Sequence, residues 1–460
     1  MSSRLELINP ANGEKFRELP YHNWEEAKSL LVKAGNTQKQ WKHTEISERI
    51  HLVKAAMDYF RDNKHSIAED ITQQMGKPIS QSMNEVMGMI HRAEVCCDLA
   101  EDALKNITLP EANGLRRFIK REPLGVVLDI AAWNYPLLIA VNVVVPAVLA
   151  GNTVAIKHSS LTPLCGKAFE DAFKHAGAPD GLVTSLIMDH QTTEQVIQSG
   201  LIQHLAFTGS VAGGRRVKAS AGNQFIETGL ELGGKDPAYI REDANLETTI
   251  PSVMDGVFYN AGQSCCAVER IYVHESLFDE FVAGAIECMN NLKIGDPMND
   301  ASDLGPLAQL SGITTINEQI SDAENKGAKI TRHAGPFPDG NNYLLPTILT
   351  NVNHNMDIMM EESFGPVVGI MPVNSDKEAI QLMNDSPYGL TASVWTRDAE
   401  KALEIGNQIE TGTFYMNRCD VLDPALPWVG VKDSGKGCTL SVLGIQQLTR
   451  PKSFNLKIDR

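Results

Sequence analysis

A regular alternation of short apolar runs and amphipathic stretches between residues 125 and 231 constrains the fold of this chain more than any other feature. Residues 125–131 and 153–157 read as buried strands, and residues 136–150 between them as a helix that starts with proline. A strand, a helix and a second strand in this order form a βαβ unit with parallel strands. The alternation continues as helix 162–175, strand 183–188, helix 191–199, strand 203–207, helix 211–221 and strand 225–231. It predicts a doubly wound parallel sheet, an architecture that favours a dinucleotide.

The turn after strand 203–207 carries glycines, although the dinucleotide fingerprint G-x-G-x-x-G is absent. Gly209-Ser210 and Gly213-Gly214 open the helix that follows this strand. The start of a helix presents free backbone N–H groups, which can bind a pyrophosphate. The same residues would serve equally well as an ordinary helix cap, so the pattern alone leaves both interpretations open.

A second glycine-containing turn delivers a thiol. It is the stretch Phe258-Tyr259-Asn260-Ala261-Gly262-Gln263-Ser264-Cys265-Cys266, which follows a helical segment. A thiol attacks only as thiolate, so a nucleophilic cysteine needs backbone N–H donors or a positive charge beside it. Gly262 permits the tight backbone that supplies such donors, and we expect Cys265 to be a nucleophile. An isolated cysteine is more often a small buried hydrophobe, so the assignment depends on the neighbouring motifs.

Two other blocks give this turn a context. Glu231-Leu232-Gly233-Gly234-Lys235 ends an apolar segment, and Trp133-Asn134-Tyr135-Pro136 lies further upstream. With these blocks the sequence resembles the aldehyde dehydrogenase superfamily, whose signatures read W-N-x-P, E-L-G-G-K and F-x-N-x-G-Q-x-C in that order. The resemblance runs from about residue 7 to the C-terminus and includes three more blocks: Phe207-Thr208-Gly209-Ser210, Glu362-Ser363-Phe364-Gly365-Pro366 and Gly412-Thr413-Phe414-Tyr415-Met416-Asn417.

The resemblance implies oxidation of an aldehyde to a carboxylic acid with NAD(P)⁺, through a cysteine thiohemiacetal and a thioester. Cys265 would attack the carbonyl, and the Asn134 side-chain amide together with the Cys265 backbone N–H would hold the oxyanion. Glu231 would activate the water that hydrolyses the thioester. Without the family context, Asn134 is a turn residue near a proline and Glu231 is an ordinary glutamate.

The same resemblance assigns residues to the cofactor and to the substrate. NAD or NADP would be contacted by Trp133, Lys157, Ser160, Gly209, Ser210, Gly214, Leu232, Gly233, Glu362 and Phe364. A small-molecule aldehyde would be held by Tyr135, Ser264, Cys266, Leu422 and Trp428. The second set suggests an apolar or aromatic entrance, and no metal ion is expected at the site. The sequence does not specify which aldehyde is oxidised.

Three positions depart from the family pattern. Many NAD-preferring members carry a glutamate where this chain has Ser160, and that carboxylate would repel a 2′-phosphate. Val143 stands where many members have a lysine, and Thr439 stands where the late S-G-x-G-R-E block has its glutamate. Both polar members of a proton-relay pair known in the family are therefore missing, and we expect Val143 and Thr439 to be near neighbours.

The pattern also predicts how the chain is divided. Residues 1–112 and 124–232 would form the dinucleotide-binding domain, with 432–447 packing back on it, and helical patterns at 24–41 and 46–75 read as packing elements. Residues 233–431 would form a second α/β domain that carries the thiol, with strands at 270–274 and 367–373 and a helix at 277–292. Segments 113–123 and 448–460 include alternating stretches at 116–122 and 453–458. We expect these to form a small β element whose strands pair across the subunits of a homodimer or homotetramer.

Composition and charge exclude several partners. With 43% hydrophobic and 21% charged residues the chain reads as an ordinary globular protein, and its formal net charge of −16 argues against nucleic acid or an anionic membrane as a partner. The apolar run 137–151 is too short for a membrane span. The eight cysteines form no C-x-x-C, and the N-terminus lacks a signal-peptide pattern, so a cytoplasmic location is expected.

Three other functions compete with this reading. A CoA-acylating aldehyde dehydrogenase would pass the acyl group to a thiol cofactor, and Glu231 in its full block argues against it. A catalytically idle paralogue that acts as a binding protein is opposed by the presence of Cys265, Asn134 and Glu231 together. A cysteine hydrolase would need a histidine base, and no motif places one at the thiol.

Overall fold

The structure, a computed structural model, describes residues 4–111, 114–338, 340 and 342–458. The described strands are β1 (Arg4–Ile8), β2 (Lys15–Pro20), β3 (Ile107–Thr108), β4 (Leu115–Pro123), β5 (Val126–Ala131), β6 (Thr153–His158), β7 (Val183–Ser185), β8 (His204–Thr208), β9 (Glu227–Glu231), β10 (Asp236–Ile240), β11 (Val268–His274), β12 (Lys329–Arg332), β13 (Thr347–Thr350), β14 (Val367–Val373), β15 (Tyr388–Gly389), β16 (Thr391–Trp395), β17 (Thr413–Met416), β18 (Val431–Lys432), β19 (Gly435–Lys436) and β20 (Thr449–Lys457).

The described α-helices are α1 (Trp24–Trp41), α2 (Ile46–Asp62), α3 (Lys64–Met75), α4 (Ile79–Leu104), α5 (Pro136–Leu149), α6 (Pro163–His175), α7 (His190–Gln198), α8 (Val211–Ser220), α9 (Leu246–Phe258), α10 (Phe278–Asn290), α11 (Leu310–Asn325), α12 (Asp357–Met360), α13 (Asp376–Asn384), α14 (Ala399–Gly406) and α15 (Ser441–Gln447). None of these helices is long and apolar enough to cross a bilayer.

The first large sheet has the strand order β19-β9-β8-β5-β6-β7. Its strands β5 to β9 run parallel, and β19 joins the β9 edge antiparallel. Alternate residues of β5 enter two cores: Val127 and Ala131 pack with α2 to α6, whereas Val126, Leu128 and Ile130 pack with α1 and α7. Helices therefore cover both faces, and the predicted doubly wound α/β fold is confirmed.

Helix α5 carries the most apolar run of the chain into this core. Pro136 occupies its first turn, where a missing N–H is harmless, and all its residues except Leu138 are buried. The residues immediately before it, Asn134 and Tyr135, are thereby held at the end of β5. The carboxyl ends of parallel strands meet at one edge of a sheet, and polar side chains placed there converge.

The second large sheet has the order β12-β13-β14-β11-β10-β16-β17, and only β12 runs antiparallel to its neighbour. A separate apolar cluster fills the space between this sheet and helices α9 to α11. Helix α9 ends at Phe258, directly before the thiol loop. The division into domains at residues 232 and 431 stays a prediction, and the boundary at 112 and 113 lies outside the described residues.

The two outlying segments pair differently from the prediction. Strand β20 pairs antiparallel with β4 along its length, with Ser453 opposite Ile119, and β3 extends the sheet on the other side of β4. The rings of Phe118 and Phe454 stack with centroids 4.5 Å apart. The prediction that these strands pair across subunits is therefore wrong for the edge at which β4 and β20 meet. Their backbone N–H and carbonyl groups pair with each other within one protomer. Residues 113, 459 and 460 of these segments lie outside the described residues.

Two element boundaries were also wrong. The helical pattern at 46–75 is two helices, α2 and α3, separated by Asn63, whose side-chain amide donates to the carbonyl of Tyr59. The strand at 183–188 ends at Ser185, because only three residues of β7 pair with β6. Apolar periodicity continues across both boundaries, so it did not reveal them.

Candidate active site

The thiol loop begins with three consecutive residues in the left-handed region. Asn260, Ala261 and Gly262 have φ of 53°, 55° and 71°. A Cβ on Gly262 would lie 2.2 Å from the carbonyl oxygen of Gly365, so no other residue fits here. The Asn260 amide donates to the carbonyls of Asn134 and Gln263, both at 3.1 Å, and fixes the loop against the end of β5. Left-handed backbone at a non-glycine residue is strained, and such strain is typical of functional sites.

The two cysteines at the end of the loop have different environments. Cys265 is half-buried and lines a cavity with Asn134 and Glu231, whereas Cys266 is 3% exposed. The Cys266 thiol donates to Asp420 Oδ1 at 2.9 Å, and Ser264 Oγ donates to the same oxygen at 2.8 Å. The contact with Cys265, together with burial, raises the pKa of Cys266 well above its ordinary value. Cys266 is therefore held as a neutral thiol at physiological pH.

The cavity beside Cys265, called the main pocket below, brings most of the predicted catalytic and substrate residues together. Its volume is about 380 Å³. The predicted residues in its lining are Asn134, Tyr135, Glu231, Ser264, Cys265, Cys266, Leu422 and Trp428. Sequence reasoning gave no role at this pocket to several other polar residues of its lining, among them Arg92, Asp255, Asp420 and Thr208.

Asn134 is positioned by a buried ion pair between Lys77, in the turn before α4, and Glu85 of α4, which the sequence did not reveal. Glu85 Oε1 accepts from the backbone N–H groups of Leu137 and Leu138, at 2.9 and 3.3 Å, at the start of α5. Its other oxygen pairs with Lys77, whose ammonium lies 3.8 Å from the centroid of the Tyr135 ring. Glu85 thus caps α5, the helix that follows Asn134, and its negative charge interacts favourably with the positive N-terminal end of the helix dipole. Asn134 itself is 3% exposed.

Glu231 lies at the end of β9 with two hydroxyl donors. Thr208 Oγ1 donates to its Oε2 at 3.2 Å, and Thr439 Oγ1 donates to its Oε1. Burial raises the pKa of Glu231 above its ordinary value, while the two hydroxyl groups and Arg92 oppose that rise. A carboxylate with a raised pKa is a stronger base than an exposed glutamate.

A second, smaller cavity, called the back cavity below, adjoins Glu231. Its volume is about 30 Å³. Glu231, Thr208 and Asn142 line both cavities. Val143 and Thr439 both line the back cavity, as expected from the sequence for the two positions without a charged relay pair.

The predicted cofactor residues lie along the carboxyl edge of the first sheet and on the loop after α12. Ser210 caps α8 by accepting from the N–H of Gly213 at 3.1 Å, which leaves the first N–H groups of the helix for a ligand. A Cβ on Gly214 would lie 2.6 Å from the Leu232 side chain, so a larger residue here would displace that side chain. Ser160 is exposed two residues after β6.

Lys157 provides a test of whether the edge fits a nucleotide. The side chain is on β6 and only 7% exposed, and burial lowers its pKa to about 8. No hydrogen bond or ion pair joins its ammonium to a described residue. A mostly buried lysine whose ammonium has no acceptor among the described residues is costly, and ribose hydroxyl groups would supply acceptors. The residues present therefore fit the cofactor that the sequence predicts.

Glu362 and Phe364 are held by a second buried ion pair. Glu269 accepts from Lys235 Nζ at 2.7 Å and from the backbone N–H groups of Ser363 and Phe364, at 2.8 and 2.9 Å. Glu362 Oε1 accepts from the N–H of Gly234 at 3.1 Å, and burial raises the pKa of Glu362 to about 8.

A contact of Gly233 and a contact between two aromatic rings also hold the loop that carries Glu362 and Phe364. A Cβ on Gly233 would lie 2.2 Å from the Glu362 carboxylate, so a larger residue here would displace that side chain. The rings of Trp133 and Phe364 meet edge to face, with centroids 5.5 Å apart, which brings the turn after β5 against the loop after α12. Among the described residues, no group of three or more His, Cys, Asp or Glu side chains is arranged to hold a metal ion.

Known proteins resemble this chain along nearly its whole length. The profile of the aldehyde dehydrogenase family matches residues 1–454. The chain is 34% identical over 457 residues to an aldehyde dehydrogenase of Paenarthrobacter nicotinovorans, and the matched region covers 98% of this chain and 99% of that protein. It is 32% identical over 451 residues to a succinate-semialdehyde dehydrogenase [NADP(+)] of Deinococcus radiodurans, which covers 97% of this chain and 93% of that protein.

Solved structures agree over the whole fold. NADP-dependent glyceraldehyde-3-phosphate dehydrogenase from Bacillus halodurans, complexed with NADP, is 33% identical with a TM-score of 0.93 and covers 99% of this chain and 96% of that one. Betaine aldehyde dehydrogenase from Staphylococcus aureus, in complex with NAD⁺, is 28% identical with a TM-score of 0.94 and covers 99% of this chain and 92% of that one.

Proposed function

Because the chain belongs to the aldehyde dehydrogenase family, we propose that Cys265 is its nucleophile, Asn134 part of its oxyanion site and Glu231 its hydrolytic base. The enzyme oxidises an aldehyde to a carboxylic acid with NAD or NADP. The observation that carries the assignment is that all three side chains line the main pocket. The loop conformation at residues 260–262 fixes Cys265 relative to Asn134 through the Asn260 amide.

In the first step, Cys265 Sγ attacks the aldehyde carbon and the carbonyl oxygen becomes an oxyanion. The Asn134 amide and the Cys265 backbone N–H donate to this oxygen, and each such donor contributes about a hundred- to a thousandfold in rate. Cys266 does not compete, because its thiol is buried and donates to Asp420.

NAD(P)⁺, when bound, accepts the hydride that leaves the aldehyde carbon. Lys157 and Ser160 would hold the adenine ribose, and the N-terminus of α8 would hold the pyrophosphate. Glu362 and Phe364 would hold the nicotinamide end, where Glu269 and Lys235 fix their loop.

Glu231 then hydrolyses the thioester. Its carboxylate takes a proton from water while the water oxygen bonds to the acyl carbon and the C–S bond breaks, which returns Cys265. This role supports hydrolysis over transfer to CoA, because the base and the thiol share one pocket.

The pocket presents charges of both signs to the tail of the aldehyde. Arg92 on α4 donates from Nη1 to the Leu138 carbonyl and to Asn142 Oδ1, at 2.8 and 3.0 Å. Burial lowers the pKa of Arg92 only to about 10, so the side chain stays a cation at neutral pH. Asp255 on α9 offers a carboxylate with no described ion-pair partner. The kcat/KM values for succinate semialdehyde, betaine aldehyde and uncharged aldehydes of equal length identify whether Arg92 or Asp255 binds the tail of the substrate.

We also propose that the enzyme is a homo-oligomer. Strand β20 is paired on one edge only among the described residues, and its exposed edge carries the backbone donors and acceptors of a strand. A second copy would cover this edge.

The assignment of the nucleophile is tested by two serine variants made side by side. Cys265→Ser should abolish NAD(P)⁺-dependent aldehyde oxidation while fold and cofactor binding are kept, because serine is a far weaker nucleophile at neutral pH. The matched control, Cys266→Ser, should retain most activity, since a serine hydroxyl can also donate to Asp420. If Cys266→Ser were the inactive variant instead, the nucleophile would be wrongly assigned.

A further inference from the structure

The back cavity occupies a defined place on the first sheet. Thr208 is in register with Glu231, and Ala206 with Gly229, so that these four residues share one face of β8 and β9. Ala206 and Gly229 have little or no side chain, and both line the cavity together with Thr439. The space beside Glu231 therefore exists because two small residues stand next to it.

His204 is a buried side chain in this cavity with unused hydrogen-bonding capacity. It is two residues before Ala206 on β8, is 5% exposed and lines the cavity. Its Nδ1 is buried without a hydrogen-bond partner. Burial lowers the pKa of His204 to about 4, so the ring is neutral and offers one donor and one acceptor. Buried polar atoms in native proteins nearly always have a partner, which is water where no protein atom is near.

The cavity is large enough to supply that water. Its volume of about 30 Å³ is room for about two water molecules, since one needs about 10–15 Å³. A second unpaired group stands beside it: Asp129 is in register with Ala206 on the adjacent strand β5, and both its oxygens are buried without partners.

The lining also connects Glu231 with the surface. It includes the exposed residues Lys436 and Gln447. The other side of Glu231 faces the main pocket, which the acyl group fills while the thioester is hydrolysed. A proton that leaves Glu231 toward the main pocket would have to pass the acyl group, whereas the back cavity stays free.

We propose that water in the back cavity carries the proton that Glu231 takes during thioester hydrolysis, and that His204 relays it toward Gln447. This inference rests on the proposed role of Glu231. The protonated Glu231 gives its proton to a cavity water, and His204 accepts a proton at one ring nitrogen while it releases one from the other. A proton leaves to bulk water, Glu231 returns to the carboxylate, and His204 stays neutral with its ring proton on the other nitrogen until the ring turns over or a later proton returns it.

Two variants test the relay without touching the substrate. His204→Leu removes both ring nitrogens at similar length. Gly229→Ala fills part of the cavity, and its Cβ would lie 3.9 Å from His204 Nε2, an ordinary contact. Gly35→Ala on α1 is the matched control, because its Cβ would also meet one atom, of Val126, at 3.9 Å but away from the cavity.

The measurement uses an activated ester, p-nitrophenyl acetate, which acylates the thiol without hydride transfer. A burst of nitrophenolate reports acylation, and the following steady rate reports hydrolysis. We expect both variants to keep the burst and to lower the steady rate by roughly tenfold or more. We also expect a larger solvent deuterium isotope effect and partial recovery with rising concentrations of a small buffer base, which a purely structural defect would not give.

An unchanged steady rate and isotope effect in both variants would overturn the relay. Loss of the burst in the wild-type enzyme would instead refute the proposed thioester chemistry, so the two failures are distinguishable. A loss of rate in Gly35→Ala equal to that in Gly229→Ala would attribute the effect to packing and would also overturn the relay.

Discussion

Replacing Glu85 by leucine should destabilise the enzyme and slow it at the same time. This carboxylate pairs with Lys77 and accepts from two backbone N–H groups at the start of α5. The Lys77 and Glu85 side chains are 0% and 1% exposed, so water cannot replace either partner. The variant leaves a buried ammonium that keeps its contact with the Tyr135 ring but has no ion-pair partner within 4 Å among the described residues.

The size of the loss follows from the charge that remains. An unpaired buried lysine would lose its proton, and neutralising a group with an ordinary pKa of 10.5 at pH 7.5 costs about 4 kcal/mol. This figure lies within the range of about 3–5 kcal/mol for breaking a buried ion pair from one side. Lys77→Met should cost less, about 2–3 kcal/mol, because Glu85 keeps its two backbone donors and the positive end of α5.

The double variant Lys77→Met, Glu85→Leu should be more stable than Glu85→Leu alone, because no buried charge remains unpaired. Urea denaturation of the cofactor-free enzyme, analysed as a double-mutant cycle, measures this. The control is Lys33→Met, which removes an exposed pair with Asp180 at 2.7 Å and should cost less than about 1 kcal/mol.

Glu85→Leu should also lower kcat/KM, by about tenfold to a hundredfold. The start of α5 positions Asn134, and small displacements of catalytic groups are costly in rate. Strict additivity of the cycle, or a loss in Glu85→Leu no greater than that in Lys33→Met, would refute the reasoning.

Three other outcomes follow from the site. NADP⁺ should be used at a rate comparable with NAD⁺, because Ser160 carries no carboxylate to repel the 2′-phosphate, and Ser160→Glu should shift kcat/KM toward NAD⁺; a strong wild-type preference for NAD⁺ would show that another group excludes the phosphate. Val143→Lys should slow turnover more than Val143→Lys combined with Thr439→Glu, because a lone lysine in the back cavity would pair with Glu231 and lower its basicity; strict additivity in the cycle would contradict this. Light scattering at micromolar concentration should give a dimer or a tetramer, and a stable monomer would remove the proposed role of the β20 edge.

The doubly wound sheet was predictable from sequence because its signals are local. Each strand of 125–231 is a short apolar run, and each helix has its own period and, at Pro136, its own start signal. The pairing of β4 with β20 is not local: its partners are more than 300 residues apart, and alternation alone does not say whether a strand pairs within a chain or between chains.

The catalytic and cofactor residues were recognised as sequence blocks, but the groups that hold them were not. Glu85 becomes visible as a supporting group only when α4 packs against α5. Glu269 becomes visible only when β11 lies beside the loop of Phe364, where it accepts two backbone N–H groups. In the sequence, Lys77 lies in a segment that reads only as the end of a helix. Tertiary packing, rather than local pattern, selects such partners.

The most direct test of the account is to locate the acyl group in the Glu231→Gln variant. Glutamine cannot take a proton from water, so the thioester should form and then persist. Incubation with aldehyde and NAD(P)⁺, followed by proteolysis and mass spectrometry, should find one acyl group per protomer on Cys265 and none on Cys266. An acyl group on Cys266, or a variant that turns over at the wild-type rate with no trapped thioester, would contradict the assignment of nucleophile and base.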